Sequence, residues 1–258
     1  MPIDVTVKDK VATAVINRPE AMNSIDPETR QQLYTLWDRI RNDDDIAVVV
    51  ITGAGDRAFC TGADLKKTFP PKESFAELFF GRNDPGNMTH GFGSDKPIIA
   101  AVNGYAMGGG MELALACDVC IASERAKFAL SEVKVGSVPG SGGVQRLPRT
   151  IGKSDAMLLL LTGDTVDAHE AMRMGFVSKV VPHEEILSAA RDIARRIAAN
   201  APLAVRVVKR LVTQGMEMPL VYATDLDRYL WGLIRDTEDR IEGRKAFSEK
   251  RKPVYKGR

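Results

Sequence analysis

The run Val102-Asn103-Gly104-Tyr105-Ala106-Met107-Gly108-Gly109-Gly110-Met111-Glu112-Leu113-Ala114-Leu115-Ala116 carries a strand through glycines into an apolar, helix-favouring segment. A strand that feeds a helix in this way is the building unit of an α/β fold. Glycines at a helix mouth let backbone N–H groups approach a ligand closely, and the helix N-terminus adds a favourable potential for negative charge. Three glycines between a strand and a helix equally serve plain close packing, so this run alone does not specify a site.

Working outward, strand-like segments at residues 11–16, 46–52, 98–102, 118–122 and 177–181 are rich in Val and Ile and bounded by Gly, Pro, Asn or Asp. Helical signals separate them. The clearest opens at Asp26-Pro27-Glu28, an N-cap candidate with proline at the first helical position, and places Leu33, Leu36, Trp37 and Ile40 on one face. From about Glu184 the pattern turns helical: Ile186, Leu187, Ala190, Ile193, Ala194 and Ile197 recur at helical spacing up to Asn200-Ala201-Pro202. Further helices are expected over 202–214, 220–233 and from about Asp236 onward. The chain therefore divides into an α/β core, residues 1–183, and a helical region, residues 184–258. Residues 68–95, with Pro70-Pro71, Asn83-Asp84-Pro85-Gly86 and Gly91-Phe92-Gly93, are poorly periodic and suggest a wall over a site.

A chain of 258 residues, 44% hydrophobic and 27% charged, buries a sizeable core. Its 36 basic and 34 acidic residues are mixed and sum to +2, which gives no global field for nucleic acid or an anionic membrane. No apolar run reaches bilayer length, and Met1-Pro2-Ile3-Asp4 lacks a signal pattern, so a cytoplasmic location is expected. Cys117-x-x-Cys120 has no second pair to complete a zinc site, and no metal is expected. Gly53-Ala54-Gly55-Asp56-Arg57-Ala58 matches a dinucleotide fingerprint, but no periodic helix follows it.

Two further segments carry chemistry. Arg57-Ala58-Phe59-Cys60-Thr61-Gly62-Ala63-Asp64-Leu65-Lys66-Lys67 follows a strand, and a tight turn there supplies another free N–H. Two converging amides make an oxyanion hole, in which one donor is worth about 2.7–4 kcal/mol of transition-state stabilisation. The other segment is Phe128-Ala129-Leu130-Ser131-Glu132-Val133-Lys134-Val135, continuing to Gly140-Ser141-Gly142-Gly143-Val144-Gln145-Arg146-Leu147. Glu112 and Glu132 together have the form of a paired acid and base, and burial by Phe128, Leu130 and Val135 would raise the pKa of Glu132. Gly140-Ser141-Gly142 lacks the spacing of a nucleophile elbow.

Taken in order, these three segments resemble the enoyl-CoA hydratase/isomerase (crotonase) family. The resemblance begins at Ile16-Asn17-Arg18-Pro19-Glu20-Ala21-Met22-Asn23-Ser24, reappears in Leu161-Thr162-Gly163-Asp164 and Gly175-Phe176-Val177, and ends in Phe247-Ser248-Glu249-Lys250-Arg251-Lys252-Pro253. It implies a crotonase-like spiral of ββα units with an α-helical C-terminal region that closes the site and joins subunits into homotrimers or homohexamers. It further implies an acyl-CoA thioester as substrate, with no cofactor beyond the substrate's own coenzyme A. The backbone N–H groups of Ala63 and Gly109 would hold the thioester oxygen. Arg18, Ala21, Ala63, Asp64, Leu65, Lys66, Phe247 and Lys250 would line the coenzyme A site. By the same resemblance Glu112 and Glu132 would be catalytic, and both together favour hydration of a 2-enoyl-CoA, an activity of fatty-acid β-oxidation. A carnitinyl-CoA-like dehydratase and an enoyl-CoA isomerase are the enzymatic alternatives, and an RNA-binding relative is the non-enzymatic one.

Overall fold

The computed structural model describes residues 1–68 and 92–258. The stretch expected as a wall therefore lies almost wholly outside the described residues.

A six-stranded sheet in the order β1-β2-β3-β5-β7-β10 forms the first layer. Its members are β1 (Ile3–Lys8), β2 (Val11–Ile16), β3 (Val48–Gly53), β5 (Ile98–Val102), β7 (Val119–Ser123) and β10 (Lys179–Val181). β1 and β2 form an antiparallel hairpin, and all later pairings are parallel. Every residue of β3 and β5 is buried, as expected of a parallel sheet covered on both faces.

Side-chain alternation sorts the two faces. Val48, Val50, Ile99, Ala101 and Ile121 meet Ile186, Ala190 and Ala194 of the helix Ile186–Ala198. Val49, Ile51, Ile98, Ala100 and Ala122 join the larger core with Leu33, Leu36, Trp37 and Ile40 of α1 (Pro27–Asn42). Side chains as fully buried as Phe59 and Ile51 contribute about 1.5–3 kcal/mol each. Asp26 caps α1 by accepting from the Thr29 amide at 2.9 Å, which fixes where the helix starts.

A second sheet has the order β4-β6-β8-β9, with β4 (Ala58–Cys60), β6 (Tyr105–Met107), β8 (Lys127–Ala129) and β9 (Val166–Asp167). β4 pairs with β6 and β6 with β8 in parallel, while β8 and β9 are antiparallel. Between the strands lie α2 (Leu65–Thr68), α3 (Gly109–Ala116), α4 (Gly143–Thr150), α5 (Lys153–Thr162) and α6 (Ala168–Met174). The helical half consists of α7 (Ile186–Ala198), α8 (Pro202–Gly215), α9 (Leu220–Ile234) and α10 (Glu238–Ser248). No helix among the described residues is long and apolar enough to cross a membrane.

Five strands and the four C-terminal helices fall close to their sequence expectations. β3 starts at Val48 rather than Ile46 because the Ile46 amide closes a turn on the Asp43 carbonyl at 3.0 Å. The 53–58 stretch leads from β3 into β4, not into a helix, so its glycines serve a turn between the sheets.

Candidate active site

Three neighbouring parallel strands, β4, β6 and β8, end on the same side of the small sheet, where open α/β folds bind ligands. β4 leads to Gly62-Ala63, β6 to Gly108-Gly109 and α3, and β8 to Glu132. Segments separated by some seventy residues of chain are thereby set side by side.

Ala63 lies in a parallel bridge to Ile25. The Ile25 amide donates to the Gly62 carbonyl at 2.7 Å, and its carbonyl accepts from the Asp64 amide at 3.0 Å. That pattern turns the N–H of Ala63 to the opposite side. Gly109 opens α3, so its N–H has no intrahelical partner. Neither amide has an internal acceptor among the described residues. A Cβ on Gly62 would lie 2.8 Å from the Gly109 nitrogen, and Gly62 has a φ of +79°, so only glycine lets the two turns meet here.

Glu112 occupies the first turn of α3 and is 2% exposed. Its Oε1 accepts from the amides of Ser141 at 2.7 Å and Gly143 at 2.8 Å. Alternate amides of a Ser-Gly-Gly turn with Gly142 left-handed, at the start of α4, form an anion-binding nest. The other oxygen, Oε2, makes no hydrogen bond among the described residues. Sequence reasoning weighed Ser141 only as a nucleophile and missed this role. Glycines running into an amphipathic helix were the available signal.

Glu132 begins a 3₁₀ turn, Glu132–Val135, across the mouth of α3. A Cβ on Gly108 would lie 3.0 Å from its Oε1, which puts the carboxylate against the helix N-cap. Its Oε2 is buried and has no hydrogen-bond partner among the described residues. Burial raises its pKa above the ordinary carboxylate value, the charge of Glu112 pushes the same way, and its own backbone amide works against both. The expected lining is corrected in one residue. Phe128 and Leu130 are buried, but Val135 is 70% exposed, because the 3₁₀ turn rotates it outward.

Arg18 is buried. Its guanidinium donates to Asp64 at 2.9 Å and to the Ser24 carbonyl at 2.5 Å, and lies 3.3 Å from Asp26, which Lys67 also contacts at 2.6 Å. Burial works to raise the pKa of Asp26, but hydrogen bonds from Lys67 and Thr29 and the Arg18 charge hold it well below the ordinary range. The Arg18 hydrogen bond likewise lowers that of Asp64. Ala21 closes a 3₁₀ turn, Pro19–Ala21, next to this cluster, and Leu65 and Lys66 are exposed on α2. Phe247 is 86% exposed at the end of α10 and Lys250 follows it on the surface, so among the described residues nothing covers either.

The chain matches the family described as Enoyl-CoA hydratase/isomerase over residues 6–258. It is 49% identical to (E)-benzylidenesuccinyl-CoA hydratase of Thauera aromatica, with 100% of each chain covered. It is 40% identical to carnitinyl-CoA dehydratase of Proteus mirabilis, covering 99% of this chain and 98% of that one. Among solved structures, an enoyl-CoA hydratase from Bacillus anthracis superposes with a TM-score of 0.93 at 36% identity, with 100% of both chains covered.

Proposed function

The chain belongs to the enoyl-CoA hydratase/isomerase family, and from that premise we propose that it adds water reversibly to a 2-enoyl-CoA to give a 3-hydroxyacyl-CoA. One observation carries the reading: two carboxylates in contrasting surroundings flank the mouth of α3, beside two amides without internal acceptors.

The thioester oxygen sits between the Ala63 and Gly109 amides, where the α3 dipole also favours negative charge. Water is held between the carboxylates over the β-carbon. The amides of Ser141 and Gly143 fix Oε1 of Glu112 and leave its Oε2 to take a proton from the water as the water oxygen bonds to the β-carbon. Charge moves through the former double bond to the thioester oxygen. Glu132, whose pKa burial raises, delivers a proton to the α-carbon. A proton then returns from Glu112 to Glu132 through solvent. Only the charged intermediate loads the amide pair fully, so the pair lowers the barrier more than it strengthens substrate binding.

The 49% identical relative is named for a substrate bearing an aryl group and a second carboxylate, which extends the substrate class to bulky β-substituted enoyl-CoA thioesters. The same two carboxylates run in reverse would dehydrate a substituted 3-hydroxyacyl-CoA, a second reading favoured by the carnitinyl-CoA dehydratase relative. Cofactor-free action on an acyl-CoA, in the cytoplasm and in fatty-acid β-oxidation, completes the proposal. Residues 184–258 would join subunits into trimers or hexamers, since α8 and α9 bury none of their residues and expose Leu220, Tyr229, Trp231 and Leu233. The solution mass tests that assembly.

The function is tested on a panel of 2-enoyl-CoA, 3-enoyl-CoA and 3-hydroxyacyl-CoA thioesters followed by conjugated-thioester absorbance. Loss of absorbance on 2-enoyl substrates with a 3-hydroxy product supports hydration. Turnover of 3-enoyl substrates alone would replace it by isomerisation, and RNA binding at physiological salt without thioester turnover would replace it by a non-enzymatic role.

A further inference from the structure

Arg146 stands in the first turns of α4 yet does not extend into solvent. Its side chain folds back toward the N-terminus of its own helix and donates from Nη1 to the Ser141 carbonyl at 2.9 Å. Arg149 on the same helix shows the ordinary behaviour, exposed and bonded to a carbonyl one turn back. A cation over a helix N-terminus opposes the dipole, and partial burial of a guanidinium adds desolvation to that cost. The position therefore needs a compensating anion. Among the described residues, the negative charge that acts on Arg146 most strongly is that of Glu112, the carboxylate bound by the same turn.

The geometry of the turn links the two. The Ser141 amide and the Gly143 amide point to Glu112, while the carbonyl between them, that of Ser141, points to Arg146. The Ser141–Gly142 peptide plane, whose carbonyl Arg146 holds, lies between the two planes whose N–H groups bind Glu112. Gly142 has a φ of +96°, and a Cβ on it would lie 2.2 Å from Nη1 of Arg146, so the absence of a side chain there is what lets the guanidinium lie over the turn.

We propose that Arg146 is a positioning residue for the reaction: by pinning the Ser141 carbonyl it fixes the two amides that orient Glu112 toward the reacting water. Arg146 itself touches no reacting atom. Its planar fork suits this better than the single flexible ammonium of lysine.

The kinetic arm of the test rests on the hydratase reading, and the exchange arm does not. In Arg146→Gln, kcat for hydration should fall about 10- to 100-fold with KM within about twofold, the pattern of a lost transition-state interaction. Arg146→Lys should recover part of that loss, and guanidinium ions should restore activity to Arg146→Ala. Hydrogen exchange at the Ser141 and Gly143 amides should speed up about tenfold or more in Arg146→Gln while global stability changes little. Wild-type kcat in Arg146→Gln, a raised KM at unchanged kcat, or unchanged exchange at these two amides would each overturn the proposal. If Arg146→Gln does not fold, Arg146→Lys is read by the same criteria. If the wild-type chain turns over no enoyl-CoA, the hydratase reading fails and the exchange result alone decides the role of Arg146.

Discussion

The surroundings of Glu112 and of Glu132 differ in how each carboxylate is solvated. Around Glu112 the chain supplies two amide donors to one oxygen at 2.7 and 2.8 Å. Around Glu132 it supplies burial, a neighbouring negative charge and an oxygen without a partner. On the proposed mechanism this contrast suits identical side chains to opposite halves of a proton transfer, one to accept and one to give. An unpartnered buried oxygen is costly for folding, which is consistent with the proposed chemical role of Glu132.

The largest expected effect breaks the pair. Glu112→Gln and Glu132→Gln should each lower kcat by about 10²- to 10⁴-fold, the range of a lost general acid or base, while thioester binding by calorimetry is retained. Near-wild-type turnover in either variant would remove that residue from the reaction.

Arg18 sharpens the contrast from the opposite direction. Its charge is satisfied internally by Asp64 and Asp26, so it should behave as a structural tie. Arg18→Ala takes a charged partner from buried Asp26 and half-buried Asp64 and should destabilise the fold by about 3–5 kcal/mol in denaturant titration. A raised KM for coenzyme A thioesters at unchanged stability would instead return Arg18 to the substrate.

The smallest effect lies in the stability of Glu132→Gln. A carboxylate whose folded pKa is raised binds more protons folded than unfolded, so wild-type stability falls as pH rises from the ordinary carboxylate value through the raised one. Removing the charge should therefore raise Tm at pH 7, by roughly 1–3 °C, and leave it unchanged near pH 4. A lower Tm at pH 7 would show that the carboxylate is stabilised where it stands.

The parts of this site were unequally legible in the sequence. β5 shows as a run of five Val, Ile and Ala residues and β2 as a run of six broken only by Thr13, each between turn residues. β4, β6 and β8, which assemble the site, are three residues long and too short to display a period of two. Their neighbourhood was reached only through the order of motifs shared with a family. The Ser141 and Gly143 donors are backbone groups with no side-chain signature. The Arg18–Asp64 contact was not legible because the two residues lie 46 positions apart in the chain. The C-terminal helices were read closely because each is long, with Thr237 accepting from the Arg240 amide where α10 begins.

The division of labour between the two glutamates is tested most directly by titrating the Glu132 carboxyl through isotope-edited NMR, in the wild-type chain and in Glu112→Gln. The account predicts a Glu132 pKa above the ordinary carboxylate value of 4.5 that drops, without returning fully, when the Glu112 charge is removed, because burial is the larger cause and that charge the smaller. A Glu132 that titrates at or below the ordinary value, and does not respond to Glu112→Gln, would contradict it.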